Sequence, residues 1–97
     1  MDDWRFDDPP DTLAIATRQV LARTEDILLV THERDDGVWV FIGGPWRDAD
    51  LQVVCLSHAL ECDASVGALA TLPLGWGAKR TSLSSPWEWF ELPPEGE

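Results

Sequence analysis

Cys55, His58 and Cys62 fall within eight residues of one another, and His32 lies upstream. Thiolate and imidazole are preferred zinc ligands, and zinc sites read from sequence show two close pairs such as Cys-x2-Cys. Here Cys-x2-His occurs once and no second pair answers it, so no metal ion is expected. A small buried thiol at Cys55 and a surface imidazole at His58 account for both residues more simply. Ser57 adjoins His58, but neighbouring side chains at a helix start do not face each other, and the sequence holds no Gly-x-Ser-x-Gly elbow. A Cys–His nucleophile would need the fold to carry His32 to Cys55 or Cys62. The acidic pairs are no more specific. Asp35-Asp36 reads as part of a turn, where Asp is favoured by backbone geometry, and Asp48 and Asp50 flank a loop without the ligand pattern of a calcium hand. "FIGG" and "LGWG" lack the Lys-Ser or Lys-Thr of a phosphate loop. These patterns supply no catalytic set and no cofactor site, and the chain reads as a non-enzyme.

The aromatic residues suit binding rather than catalysis. The chain has six Trp in 97 residues, and each can conceal about 150–250 Å². That is more than one side of a thin sheet normally hides. Core packing accounts for most of them, and one or two are expected to stay partly exposed, where Trp anchors protein interfaces. The candidate binding residues are His32, Trp39, Trp46, Trp76, Arg80 and Trp87. Trp39 alternates with Val38 and Val40 and so faces away from them, and Trp87 and Trp89 share a face opposite Phe90. The alternative use of these residues is a small-ligand pocket near His32, Trp76, Arg80 and Trp87, in a binding or accessory enzyme domain. A domain with no discrete site is the third reading.

Charge narrows the partners. The formal net charge is −11. Much of the excess lies at the ends, with Asp2, Asp3, Asp7, Asp8 and Asp11 in the first eleven residues and Glu88, Glu91, Glu95 and Glu97 in the last twelve. A phosphate backbone requires a basic footprint, so no nucleic acid is expected. A basic protein partner fits, because opposite charge speeds encounter. No apolar run approaches the ~18 residues that a bilayer-spanning helix needs, and the acidic start does not resemble a signal peptide. A cytoplasmic protein with two reduced thiols and no membrane contact is the expectation. The oligomeric state is left open.

A single domain fits this length. Residues 1–11 read as a flexible acidic arm, with Pro9 and Pro10 stopping any helix, although Trp4 and Phe6 are placed to dock it on the body. Residues 12–92 form the domain and 93–97 a disordered tail. Strands are predicted at 12–17, 26–33, 38–43 and 51–56, with a helical turn or connector at 18–23. In the first strand Leu13 and Ile15 share one face, while Ala14 and Ala16 leave room for close packing on the other. "RDDG" makes a turn, with Asp36-Gly37 suited to positive φ, and the two strands beside it are apolar on both faces, as central strands are. Ser57 is placed to cap a helix over "HALEC" and Asp63 a second over "ASVGALATL". "GWGAKRTSL" and "WEWFEL" close the sheet. The fold class is α+β: a mainly antiparallel sheet of five to six strands with two short helices on one side.

The ordered series "TRQVL", "ILLVTHERDDGVWVFIGG", "VVCLSHALECDASVGALATLPLGWGAKR" and "SPWEW" resembles a small bacterial family of uncharacterised single-domain proteins, some similar to immunity proteins of polymorphic toxin systems. The resemblance spans residues 12–89 and rests on His32, Gly37, Trp39, Leu72, Pro73, Gly75, Trp76, Arg80 and Trp87. It implies the same fold and supplies no catalytic residue. In this light "LPLGW" is a staple. Pro73 stops the helix, Gly75 permits the reversal, Trp76 plugs the seam between helix and sheet, and Arg80 stacks on Trp87 or pairs with a carboxylate. The segment would border a groove with His32 at its rim. The function expected is an acidic protein-binding domain, in its most concrete form an immunity-like inhibitor of a basic toxin.

Overall fold

Alternation decides the first strand. In a computed structural model describing residues 4–93, β1 (Leu13–Thr17) buries Ala14 and Ala16 and leaves Leu13 exposed. The small side chains let the layer above approach closely. The chain continues through α1 (Arg18–Leu21), β2 (Leu29–His32), β3 (Trp39–Ile42) and a 3-10 turn at Asp48–Asp50, followed by β4 (Leu51–Cys55) and α2 (Leu56–Cys62). A 3-10 helix at Ala64–Leu69, β5 (Trp76–Lys79) and β6 (Glu88–Glu91) complete it. The strands form one six-stranded sheet in the order β4-β1-β3-β2-β5-β6. The β2–β3 hairpin is central, as its two apolar faces require, and turns on Gly37 at φ +72°.

The fold is α+β with a mixed sheet. All pairings are antiparallel except β1 with β3, which run parallel. The helical elements lie on one side. Val20 of α1, Leu56 and Ala59 of α2, and Val66 and Leu69 of the 3-10 helix join Ala14, Ala16, Val30, Trp39, Phe41 and Ala78 in one core. Two local expectations change. The cap of α2 is Cys55 rather than Ser57, and the second helix is 3-10 rather than α, though Asp63 does cap it by accepting from the Ser65 N–H at 3.0 Å.

The segment read as an arm is docked where it is described. Phe6 is buried and meets the Trp39 ring edge-to-face at 4.9 Å. Trp4 Nε1 donates to the Asp8 carbonyl at 2.7 Å. Asp2 and Asp3 of that arm, and the tail beyond Pro93, lie outside the described residues. Among the described residues no helix is long and apolar enough to cross a membrane.

Candidate functional site

The end of the central hairpin builds a groove. His32 closes β2 and Trp39 opens β3, and their register makes them cross-strand partners. The two rings stack at 3.9 Å with 13° between planes. His32 Nδ1 lies 2.8 Å from the Leu72 carbonyl. A carbonyl only accepts, so Nδ1 is the donor in this contact. Trp39 Nε1 donates to Asp8 Oδ2 at 3.0 Å. Leu72, Pro73 and Leu74 form one wall and Asp7, Asp8 and Asp36 bring carboxylates to the lining, around a volume of about 640 Å³. "LPLGW" therefore does border a groove containing His32. Gly75, at φ +81°, makes the reversal, and a side chain there would also strike the Arg34 guanidinium.

Arg80 lies outside that groove and its side chain is 2% exposed. It leaves the end of β5 and spends its donors inside the protein. Nε and Nη2 reach the Ile27 carbonyl at 3.1 and 2.9 Å, Nη2 pairs with Asp63 Oδ2 at 2.6 Å, and Nη1 meets Ser65 Oγ at 3.1 Å. The guanidinium carbon sits 4.1 Å from the centre of the Trp87 ring. Both uses anticipated for Arg80, the stack and the carboxylate pair, occur together. The result is a buried clasp joining β5, the 3-10 helix and the segment before β2. Trp76 is half-buried against the core. Trp46 is exposed beside Arg18, Arg47 and Asp50, none of which lines the groove. The structure thus brings His32, Trp39 and Trp76 together as cross-strand neighbours, joins Arg80 to Trp87 in the separate clasp, and sets Trp46 apart from both.

The helix-free face of the sheet carries residues that alternation alone did not single out. The registers place Val53, Ile15, Val40, Thr31, Gly77 and Phe90 side by side in one row across all six strands. None of them belongs to the core cluster. Val53 and, one row over, Leu13 are 66% and 62% exposed. Phe90 lies across Gly77, where an added Cβ would come within 2.8 Å of its ring. Glu33, whose Oε2 accepts from Thr31 Oγ1 at 2.6 Å, and Glu88, paired in register with Lys79, stand beside this row. The missed signal was the Leu13/Ile15 alternation: it named the face opposite the packed alanines, but only the placement of the helices leaves that face uncovered.

The cysteines do not assemble with histidine. Cys55 is exposed, contrary to the buried thiol expected, because odd positions of β4 point to the helix-free side; Cys62 is half-buried and His58 exposed. Both thiols are free, and among the described residues no group of three metal-ligating side chains converges. Asp50, beside β4, is nearly covered. Its carboxyl is held below the usual 3.8 by the Arg47 N–H and the Gln19 side chain, with Arg18 at 2.9 Å adding to them against the cost of burial. A smaller cavity of about 160 Å³ next to Arg23, Ile27 and Cys62 is below the size that usually houses a ligand. Comparison with models of known protein families, with curated proteins and with solved structures finds no match for this chain.

Proposed function

We propose that this protein is a small acidic, non-enzymatic domain that binds a basic protein on the helix-free face of its sheet. In its most concrete form it is an immunity-like inhibitor that covers a basic toxin surface. The observation that carries the reading is the apolar row of Val53, Ile15, Val40 and Phe90, with Leu13 beside it, left outside the core and accompanied by Glu33 and Glu88. An apolar centre with a polar rim is the anatomy of protein interfaces. A chain of net charge −11 steers toward a surface rich in Lys and Arg. Leu13→Lys tests it, since that side chain is exposed and the change should leave the fold intact. Captured from native lysate, the wild-type chain should retain a basic protein that Leu13→Lys binds at least about tenfold more weakly, a loss of about 1.4 kcal/mol. The association rate should fall steeply with salt. Equal retention by both chains, or no retained protein, refutes the reading.

The groove favours a second reading, a small-molecule site. Its volume lies in the range of ligand pockets, roughly 300–1,000 Å³. The three aspartates in its lining select a cation. Titration with arginine amide should shift the intrinsic Trp fluorescence of the wild type and leave His32→Ala unresponsive; a flat titration of the wild type removes this reading.

A further inference from the structure

The sheet ends in two edges, and they are protected unequally. β6 carries Glu88 and Glu91, charges that discourage pairing with another strand. β4 reads Leu-Gln-Val-Val-Cys, with no charge, no proline and no glycine. Its backbone directions follow from one bond. The Leu56 N–H donates to the Thr12 carbonyl at 2.8 Å, and the register runs Ala14 to Val54 and Ala16 to Gln52. Antiparallel bonding alternates, so Gln52 and Val54 face β1, whereas Leu51, Val53 and Cys55 direct their peptide groups outward.

Two of those outward groups are already used. The Leu51 N–H donates to the Asp48 carbonyl at the end of the 3-10 turn. Cys55 is the cap residue of α2, and its carbonyl accepts the first bond of that helix. What remains is the Leu51 carbonyl, both groups of Val53, and the Cys55 N–H. This set is complementary to itself. Placed antiparallel to a second β4 with Val53 opposite Val53, the two Val53 residues exchange N–H···O bonds, and each Cys55 N–H meets the other copy's Leu51 carbonyl. A full ladder would also take the Leu51 N–H to the other copy's Cys55 carbonyl; both are already bonded within their own chain, so this register leaves neither without a partner.

We infer that β4 is a homodimer edge: two copies of the chain pair antiparallel through β4 about a two-fold axis at Val53, making one continuous sheet. The side chains agree with this. Leu51, Val53 and Cys55 share the helix-free face with Leu13, so pairing joins the apolar rows of the two copies. Such an isologous contact closes on itself at two copies. It does not depend on the basic-partner reading, because the middle of the helix-free face stays open in the dimer.

Sedimentation of the full-length chain in reducing buffer should show a concentration-dependent dimer. Val53→Lys, at an exposed side chain, should give a monomer with an unchanged circular dichroism spectrum. For register, Cys55 and Cys62 are replaced by Ser and one new thiol is added. Val53→Cys places two Cα atoms about 5.5 Å apart, inside the disulfide range, so mild oxidation should yield a covalent dimer. Gln52→Cys, offset from its twin by two residues along the strand, should not. A wild-type chain that stays monomeric across concentration, a dimer that survives Val53→Lys, or equal cross-linking at positions 52 and 53 overturns the inference. So does a β4 edge occupied by a strand of a different protein while the chain alone stays monomeric. Loss of basic-protein capture in Leu13→Lys with the dimer retained bears on the partner reading alone.

Discussion

Replacing Arg80 with Ala should cost about 3–5 kcal/mol of stability, measured as a shift of the urea midpoint at constant m. The reason is what stays behind. The Arg80 side chain is 2% exposed and that of Asp63 17% exposed. Truncation leaves the Asp63 carboxylate without its cation and the Ile27 carbonyl without two donors, in a place where water repays little. Trp87 also loses the plane it stacks on. For a domain of this size the melting temperature should fall by at least about 12 °C. Arg80→Lys separates the contributions. It keeps a positive charge for Asp63 but cannot bond the Ile27 carbonyl through two nitrogens or lie flat on the indole, so it should fall between wild type and Ala. A loss below about 1 kcal/mol for Arg80→Ala would mean that the clasp is ornamental, contrary to its burial.

Trp39→Ala is the second large effect. Trp39 is buried at the start of β3 and touches three different things: Phe6 edge-to-face, His32 face-to-face and Asp8 through its indole N–H. Removing a buried indole costs about 3–5 kcal/mol through lost transfer energy and the cavity left behind. It should also release the segment from Trp4 to Asp8, because Phe6 and Asp8 both lean on that ring. Hydrogen exchange or limited proteolysis reads this directly: cleavage before Thr12 should accelerate in Trp39→Ala more than anywhere else. Trp39→Phe is the control. It preserves most of the ring volume and removes only the bond to Asp8, about 1 kcal/mol. If Trp39→Ala leaves protection at residues 4–8 unchanged, the docking of that segment has another source.

Much of the local structure was legible in the chain. The Leu13/Ile15 against Ala14/Ala16 alternation gave β1 both faces before any neighbour was known. Asp36-Gly37 gave the central hairpin its turn, and Pro73 with Gly75 ended the helical stretch and reversed the chain. Asp63 was correctly assigned as a cap, since a short acceptor before a polar N–H is a local arrangement. Arg80 was marked for an aromatic and a carboxylate because guanidinium geometry demands such partners. Its donor to Asp63 was not legible, because that pair closes across the fold between β5 and the 3-10 helix. Cys55 was read as buried from the apolar run around it. A run of Val and Leu does not say which of its alternate positions faces a helix, or that the strand is an edge.

The sequence by itself determined periodicity, turns, capping and charge, because these depend on each residue's own conformational preferences and on neighbours a few positions away. It determined an α+β domain with a net charge of −11. Only the tertiary structure decided that β1 lies parallel to β3, that β4 is an unguarded edge, and that Leu13, Ile15, Val40, Val53 and Phe90 meet on a face no helix covers. Those outcomes depend on which strands become neighbours. The same alternating pattern is satisfied by several neighbours, and the choice among them rests on packing energies summed over the whole core.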